Sequence, residues 1–128
     1  MVAGAKVLVV EDNALVALDI EVMLQDAGHT VLGPLTSVAA TLAFLAAERP
    51  DAVLLDLNLQ DEVATPVANA LVATGIPFAL LTGMDNAAID VTLLRISRLA
   101  KPFGSGDIQE MVLSLLEPRP APQLVEQV

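Results

Sequence analysis

Five short apolar runs, each followed by a stretch of helical periodicity, leave this chain few folds to choose from. Lys6 to Val10 is an unbroken, β-branched run that stops at two acids, the pattern of a strand buried on both faces of a parallel sheet. Asn13 is placed to cap a helix that continues to Gly28, where a left-handed residue ends it. Thr30 to Leu32 gives a second strand running into Gly33-Pro34. Ser37 then caps a helix with Val38, Leu42 and Leu45 on one face, stopped by Pro50. Ala52 to Leu55 is a third strand ending at Asp56, followed by Thr65 as N-cap, Pro66 as the first helical residue and Gly75 as the helix end. Phe78 to Leu81 is a fourth strand ending at Thr82, and the helical signal over 86–94 is weak because Asp and Thr interrupt it. Arg98 to Ala100 makes a brief fifth strand before a clean helical stripe of Ile108, Met111, Val112, Leu115 and Leu116.

Strict alternation with short connections predicts an α/β fold: a flavodoxin-like, doubly wound, five-stranded parallel sheet in the order 2-1-3-4-5, with helices on both faces. This single domain occupies residues 1–117. Proline at alternate positions from Pro118 to Pro122 allows no further helix, so 118–128 reads as a Pro-rich flexible tail.

Composition narrows the function. With 55% hydrophobic and 17% charged residues the chain can bury a core, which excludes disorder of the whole. Sixteen acids against six Lys and Arg give a formal charge of −10 without any basic cluster, which argues against nucleic-acid binding. The absence of cysteine removes thiol nucleophiles, disulfides and zinc-thiolate sites. The apolar runs fall short of the roughly 18 residues a membrane span needs. Glu11-Asp12 also interrupts the run after Lys6 too early for a signal peptide, so the chain reads as cytoplasmic and without membrane contact.

The chemistry gathers just past the strands. Glu11 and Asp12, Asp56, Thr82 and Lys101 follow four different strands, and in a doubly wound sheet such positions converge on one crevice. Three carboxylates in one pocket repel one another unless a cation sits among them, and oxygen ligands at this density suit Mg²⁺. Asp56 is the natural nucleophile of aspartyl-phosphate chemistry. The Lys101 ammonium can pair with Asp56 before reaction and with phosphoryl oxygens afterward, while the Thr82 hydroxyl can donate to another phosphoryl oxygen.

This combination resembles the receiver domain of two-component response regulators, over residues 5–116. The residues that carry the resemblance are Val9-Val10-Glu11-Asp12-Asn13, Leu54-Leu55-Asp56, Leu81-Thr82-Gly83 and Lys101-Pro102-Phe103. The resemblance implies a stand-alone phosphoacceptor rather than an enzyme. Asp56 would take a phosphoryl group from the phosphohistidine of a sensor histidine kinase or a histidine phosphotransfer protein. Glu11, Asp12, Asp56 and the Asn58 backbone carbonyl would hold Mg²⁺, and signalling would run through contacts with a downstream protein target; homodimer formation stays open. Gly83 matches the small residue that leaves room for the donor. Met84 either shapes access to Asp56 or fills a gap.

Two departures matter. Receiver domains usually carry an aromatic residue three positions before the lysine that rotates inward on activation, and here that position is Arg98. The usual coupling of hydroxyl to ring cannot operate, so the segment 85–94 is expected to respond instead. Pro77-Phe78-Ala79-Leu80-Leu81-Thr82-Gly83 with Lys101-Pro102-Phe103 is similar to the FAT GUY subgroup of single-domain receivers, although Leu80 and Met84 stand where that subgroup tends to have aromatics.

The first helix carries more apolar surface than its packing needs. Val16, Ile20, Met23, Leu24 and Ala27 fall on the side facing the sheet, whereas Leu15, Leu18 and Val22 form a second stripe suited to a partner surface. His29, the one histidine, is expected in a surface turn, and Phe103 is expected to pack on the last helix. The alternative function is a Mg²⁺-dependent phosphohydrolase of the aspartyl-phosphate type. Such phosphatases place a second acid two residues after the nucleophile, where this chain has Asn58, so the general acid/base is missing.

Overall fold

The computed structural model describes residues 4–59, 62–82, 96–101 and 103–117. Its elements run β1 (Lys6–Val10), α1 (Ala14–Asp26), β2 (Thr30–Leu35), α2 (Val38–Ala47), β3 (Ala52–Asp56), β4 (Asn58–Leu59), β5 (Glu62–Val63), α3 (Thr65–Thr74), β6 (Phe78–Thr82), β7 (Ser97–Ala100) and α4 (Ser105–Leu116). The main sheet is parallel with five strands in the order β2-β1-β3-β6-β7, the predicted doubly wound arrangement.

Because successive side chains of a strand point to opposite faces, the sheet divides its own core in two. Leu8, Val10, Val53, Leu55 and Leu80 join Val67, Ala68 and Leu71 of α3 and the partly buried Val38, Leu42 and Leu45 of α2 on one face. Val7, Val9, Leu54, Ala79 and Leu81 join Ile20 and Leu24 of α1 and Ile108, Val112 and Leu115 of α4 on the other, where Phe103 also packs.

Capping follows the predicted chemistry at two helices. The Asn13 side chain accepts from the backbone N–H of Leu15 and Val16 at 3.0 and 3.1 Å, and Ser37 Oγ accepts from that of Ala40 at 3.1 Å. Gly75 ends α3 at φ +74°, a left-handed cap.

Four expectations need correction. β2 does not stop at Leu32 but continues to Leu35 through a register shift against β1. Gly33 makes this possible: at φ +89° a Cβ would lie 2.8 Å from both the Leu35 nitrogen and the Val9 carbonyl oxygen. The cap of α3 is Ala64 rather than Thr65, with no side-chain cap bond, because the Ala64 N–H is turned back to the Leu57 carbonyl at 2.7 Å and the helix starts one residue early. His29 is buried, not a surface residue, and its Nδ1 accepts from the Ala5 N–H at 3.1 Å. On α1, Ala17 is buried with Ile20 and Leu24, while Ala27 is exposed. The short β4–β5 hairpin was not anticipated. The weak helical segment 86–94, the responsive segment 85–94 and the tail 118–128 lie outside the described residues.

Leu54 and Leu71, each fully buried, are expected to lose about 2–5 kcal/mol of unfolding free energy on substitution by alanine. The exposed Leu18 should change by less than about 0.5 kcal/mol on substitution by serine. Urea midpoints at constant m-value check both.

Candidate functional site

The site lies where the strand order reverses. β1 pairs with β2 on one side and β3 on the other, so the residues following β1 and β3 open side by side at the carboxyl edge, Val10 being opposite Leu55. Glu11 and Asp56 are almost entirely buried there, at 1% and 5% exposure, and Asp12 is half-buried. Each of the three acids offers an oxygen, and these oxygens lie within 4.8 Å of one another.

Lys101 enters from the far side of β6, immediately after β7. Its Nζ donates to Asp56 Oδ2 at 2.9 Å and stands 2.9 Å from Glu11 Oε1. The second contact lacks the alignment of a hydrogen bond, so Glu11 Oε1 is a buried oxygen held by charge alone. The other oxygens are fixed by backbone: Glu11 Oε2 accepts from the Asn13 N–H at 3.1 Å and Asp56 Oδ1 from that of Asn58 at 2.9 Å. The Glu11 N–H in turn donates to the Leu35 carbonyl at 3.0 Å.

Burial pushes the Glu11 carboxyl above the usual carboxylate range, helped by the Asp56 charge and opposed by Lys101 and the Asn13 N–H. Burial alone would lower the Lys101 ammonium, but its hydrogen bond to Asp56 and the close negative charges of Asp56 and Glu11 outweigh this and hold it above its ordinary value. Three carboxylates and one ammonium leave a formal charge of −2 at the crevice. A hard divalent cation matches that charge and the all-oxygen donor set, and among the described residues Glu11 Oε1 is a buried acceptor with no aligned hydrogen-bond donor, only the Lys101 ammonium 2.9 Å away. The residues present therefore fit Mg²⁺.

A family model for the response regulator receiver domain matches residues 7–113. The chain belongs to this family. Among solved structures, this receiver domain is similar to SdrG from Sphingomonas melonis Fr1, with 36% identity and a TM-score of 0.80, over 91% of this chain and 100% of that one. A receiver protein from Burkholderia phymatum shares 30% identity with a TM-score of 0.75, over 87% and 94% of the two chains. The chemotaxis response regulator CheY4 of Vibrio cholerae, 21% identical with a TM-score of 0.75 over 89% of this chain and all of its own, shares the fold. No curated protein sequence matches the chain.

The receiver fold thus brings Glu11, Asp12, Asp56 and Lys101 together. Thr82 ends β6 opposite Ala100, and Gly83 and Met84 fall outside the described residues. Arg98 is an exposed residue of β7, in register with Leu80. Leu15, Leu18 and Val22 are 76%, 54% and 48% exposed on α1. Sequence reasoning gave Asn58 a carbonyl role only, and its N–H on Asp56 went unnoticed. It also overlooked the Asn13 N–H on Glu11, a backbone donor that any residue but proline would supply and that the sequence therefore does not signal. Among the described residues no helix is long and apolar enough to cross a membrane.

Removing the Lys101 ammonium leaves two buried carboxylates facing each other. Lys101→Ala is expected to cost about 1–3 kcal/mol near neutral pH. The sign with pH follows from Glu11: a carboxyl raised in the folded state favours folding below its unfolded value and loses that contribution as pH rises through the folded one. The penalty of Lys101→Ala should therefore shrink in acid as the Glu11 carboxyl, raised by burial, takes up its proton, which urea unfolding from pH 7 down to pH about 4 measures.

Proposed function

We propose that this receiver domain accepts a phosphoryl group on Asp56 from a phosphohistidine, with Mg²⁺ held by Glu11, Asp12, Asp56 and the Asn58 carbonyl. The observation that carries the reading is the Lys101 ammonium set against both Glu11 and Asp56, with Asp12 completing a triad of oxygens. An Asp56 carboxylate oxygen forms the new bond to phosphorus as the bond to the imidazole nitrogen of the donor breaks, and the imidazole leaves to take up a proton. Held by these residues, Mg²⁺ would supply charge neutralisation for the phosphoryl oxygens. Asn58 and Lys101 hold the carboxylate in place before transfer. Afterward Lys101 turns to a phosphoryl oxygen and the Thr82 hydroxyl donates to another, coupling the acyl phosphate to β6 and β7.

The donor is a sensor histidine kinase or a histidine phosphotransfer protein. It docks against Leu15, Leu18 and Val22, whose exposure on the helix following the acid pair leaves an apolar stripe without a core role. Gly83 is the small residue that leaves room for the donor, and Met84 shapes its access. Arg98 replaces the aromatic switch, so readout passes to 85–94 and from there to a downstream protein target. The domain is a cytoplasmic phosphoacceptor rather than an enzyme, and its Phe78-to-Gly83 and Lys101-to-Phe103 motifs favour the FAT GUY subgroup. A BeF₃-activated conformation of SdrG, 35% identical to this chain, is in keeping with the reading.

An acyl phosphate supplied as a small donor is expected to label the protein to about one phosphoryl per chain, only with Mg²⁺, and then to stop, whereas Asp56→Ala takes up none. Continuous release of phosphate from added substrates would favour the hydrolase instead. Serine at Leu15, Leu18 and Val22 together should slow transfer from the phosphorylated kinase and spare labelling by the small donor. Equal loss in both would mean that the exposed stripe is not the surface on which the kinase docks.

A further inference from the structure

Two residues beyond Asp56 the chain enters the β4–β5 hairpin, in which Asn58 faces Val63 and Leu59 faces Glu62. Leu59 is buried in the core, and the Ala64 N–H closes the hairpin on the Leu57 carbonyl. Across from Leu59, the Glu62 carboxylate leaves the hairpin and accepts from the Val38 N–H at 2.9 Å, at the first residue of α2. That N–H is not the one Ser37 serves, since Ser37 Oγ takes the Ala40 N–H. The α2 N-terminus therefore has two caps of different kinds. Ser37 is local in sequence, whereas Glu62 comes from 24 residues away and joins two parts of the fold.

The join closes a circuit around the phosphoacceptor. The Glu11 N–H binds the Leu35 carbonyl at the end of β2, and the next turn of chain leads to Val38. Val38 binds Glu62 on β5, β5 pairs with β4, and the Asn58 N–H at the start of β4 binds Asp56 Oδ1. Glu11 and Asp56 are then connected twice, once by β1–β3 pairing and once through Glu62. A two-residue pair of strands has little stability of its own, so an external anchor decides how firmly it is held.

We propose that Glu62 is a positioning residue. By tying the hairpin to α2, it fixes the Asn58 backbone against Asp56 and so sets the metal-binding geometry. This inference rests on the phosphoacceptor reading above for its Mg²⁺ consequence, but the tether itself can be tested in metal-free protein.

The experiment compares Glu62→Ala, Glu62→Gln and Ser37→Ala in the full chain. All three should keep the fold, and the two alanine variants should show comparable small losses in melting temperature, since each removes one cap of the same helix. Only Glu62→Ala should speed hydrogen exchange of the Asn58 amide and weaken Mg²⁺ affinity in calorimetric titration by about tenfold, the lower end of the effect of losing an outer support of a metal ligand. Glu62→Gln keeps an oxygen acceptor and should restore both. Should Glu62→Ala and Ser37→Ala behave alike, with Asn58 exchange and Mg²⁺ affinity unchanged, Glu62 is a helix cap and the inference is wrong. A wild type that binds no Mg²⁺ would overturn the phosphoacceptor reading, while Asn58 exchange would still decide the tether. If Glu62→Ala does not fold, Glu62→Asp, which shortens the reach, gives the same comparison.

Discussion

Three carboxylates held within 4.8 Å of one another at the edge of a sheet are the constraint around which the molecule is arranged. At an effective dielectric near 20, each such pair repels by roughly 3–4 kcal/mol, a large fraction of the stability of a domain this size. The chain meets that cost with one ammonium, two backbone N–H groups and a hydrophobic sheet that leaves the acids nowhere else to go. One lysine cannot cancel three acids. The remaining charge is what suits the crevice to a divalent cation, on which the proposed phosphoryl acceptance depends.

The doubly wound topology explains why so few residues suffice. Glu11 needs only to follow β1 and Asp56 only to end the paired β3 for the two to stand side by side, and Lys101 needs only length to cross the end of β6. Beneath them both faces of β1 and β3 are buried, so the backbone that aims these groups rests on the most protected part of the fold. Rigidity below and unbalanced charge above suit the proposed control of the domain by a covalent change at Asp56.

Much of this was legible in the sequence, for identifiable reasons. Strands buried on both faces announce themselves as continuous apolar runs, and the polar residue that ends each run is the one the topology delivers to the crevice. What the sequence concealed depends on contacts between distant residues. Gly33-Pro34 reads as a strand terminator, yet β2 passes through it because a left-handed glycine fits against β1. His29 looks like a turn residue, yet the Ala5 N–H needs a buried acceptor and finds it there. Glu62 looks like one more solvated acid, and only the folded hairpin shows that it reaches α2. Thr65-Pro66 follows the usual order of a helix start, but hairpin closure at Ala64 moves the cap by one residue.

The central claim is that Asp56, among sixteen acidic residues, is the one whose surroundings make it a phosphoacceptor. Reduction of the labelled protein with borohydride converts an acyl phosphate to the corresponding alcohol, and peptide mass spectrometry then locates the altered residue. The account predicts homoserine at position 56 and unmodified Glu11 and Asp12. Reduction at either of those two, or label spread over several surface carboxylates, would contradict it.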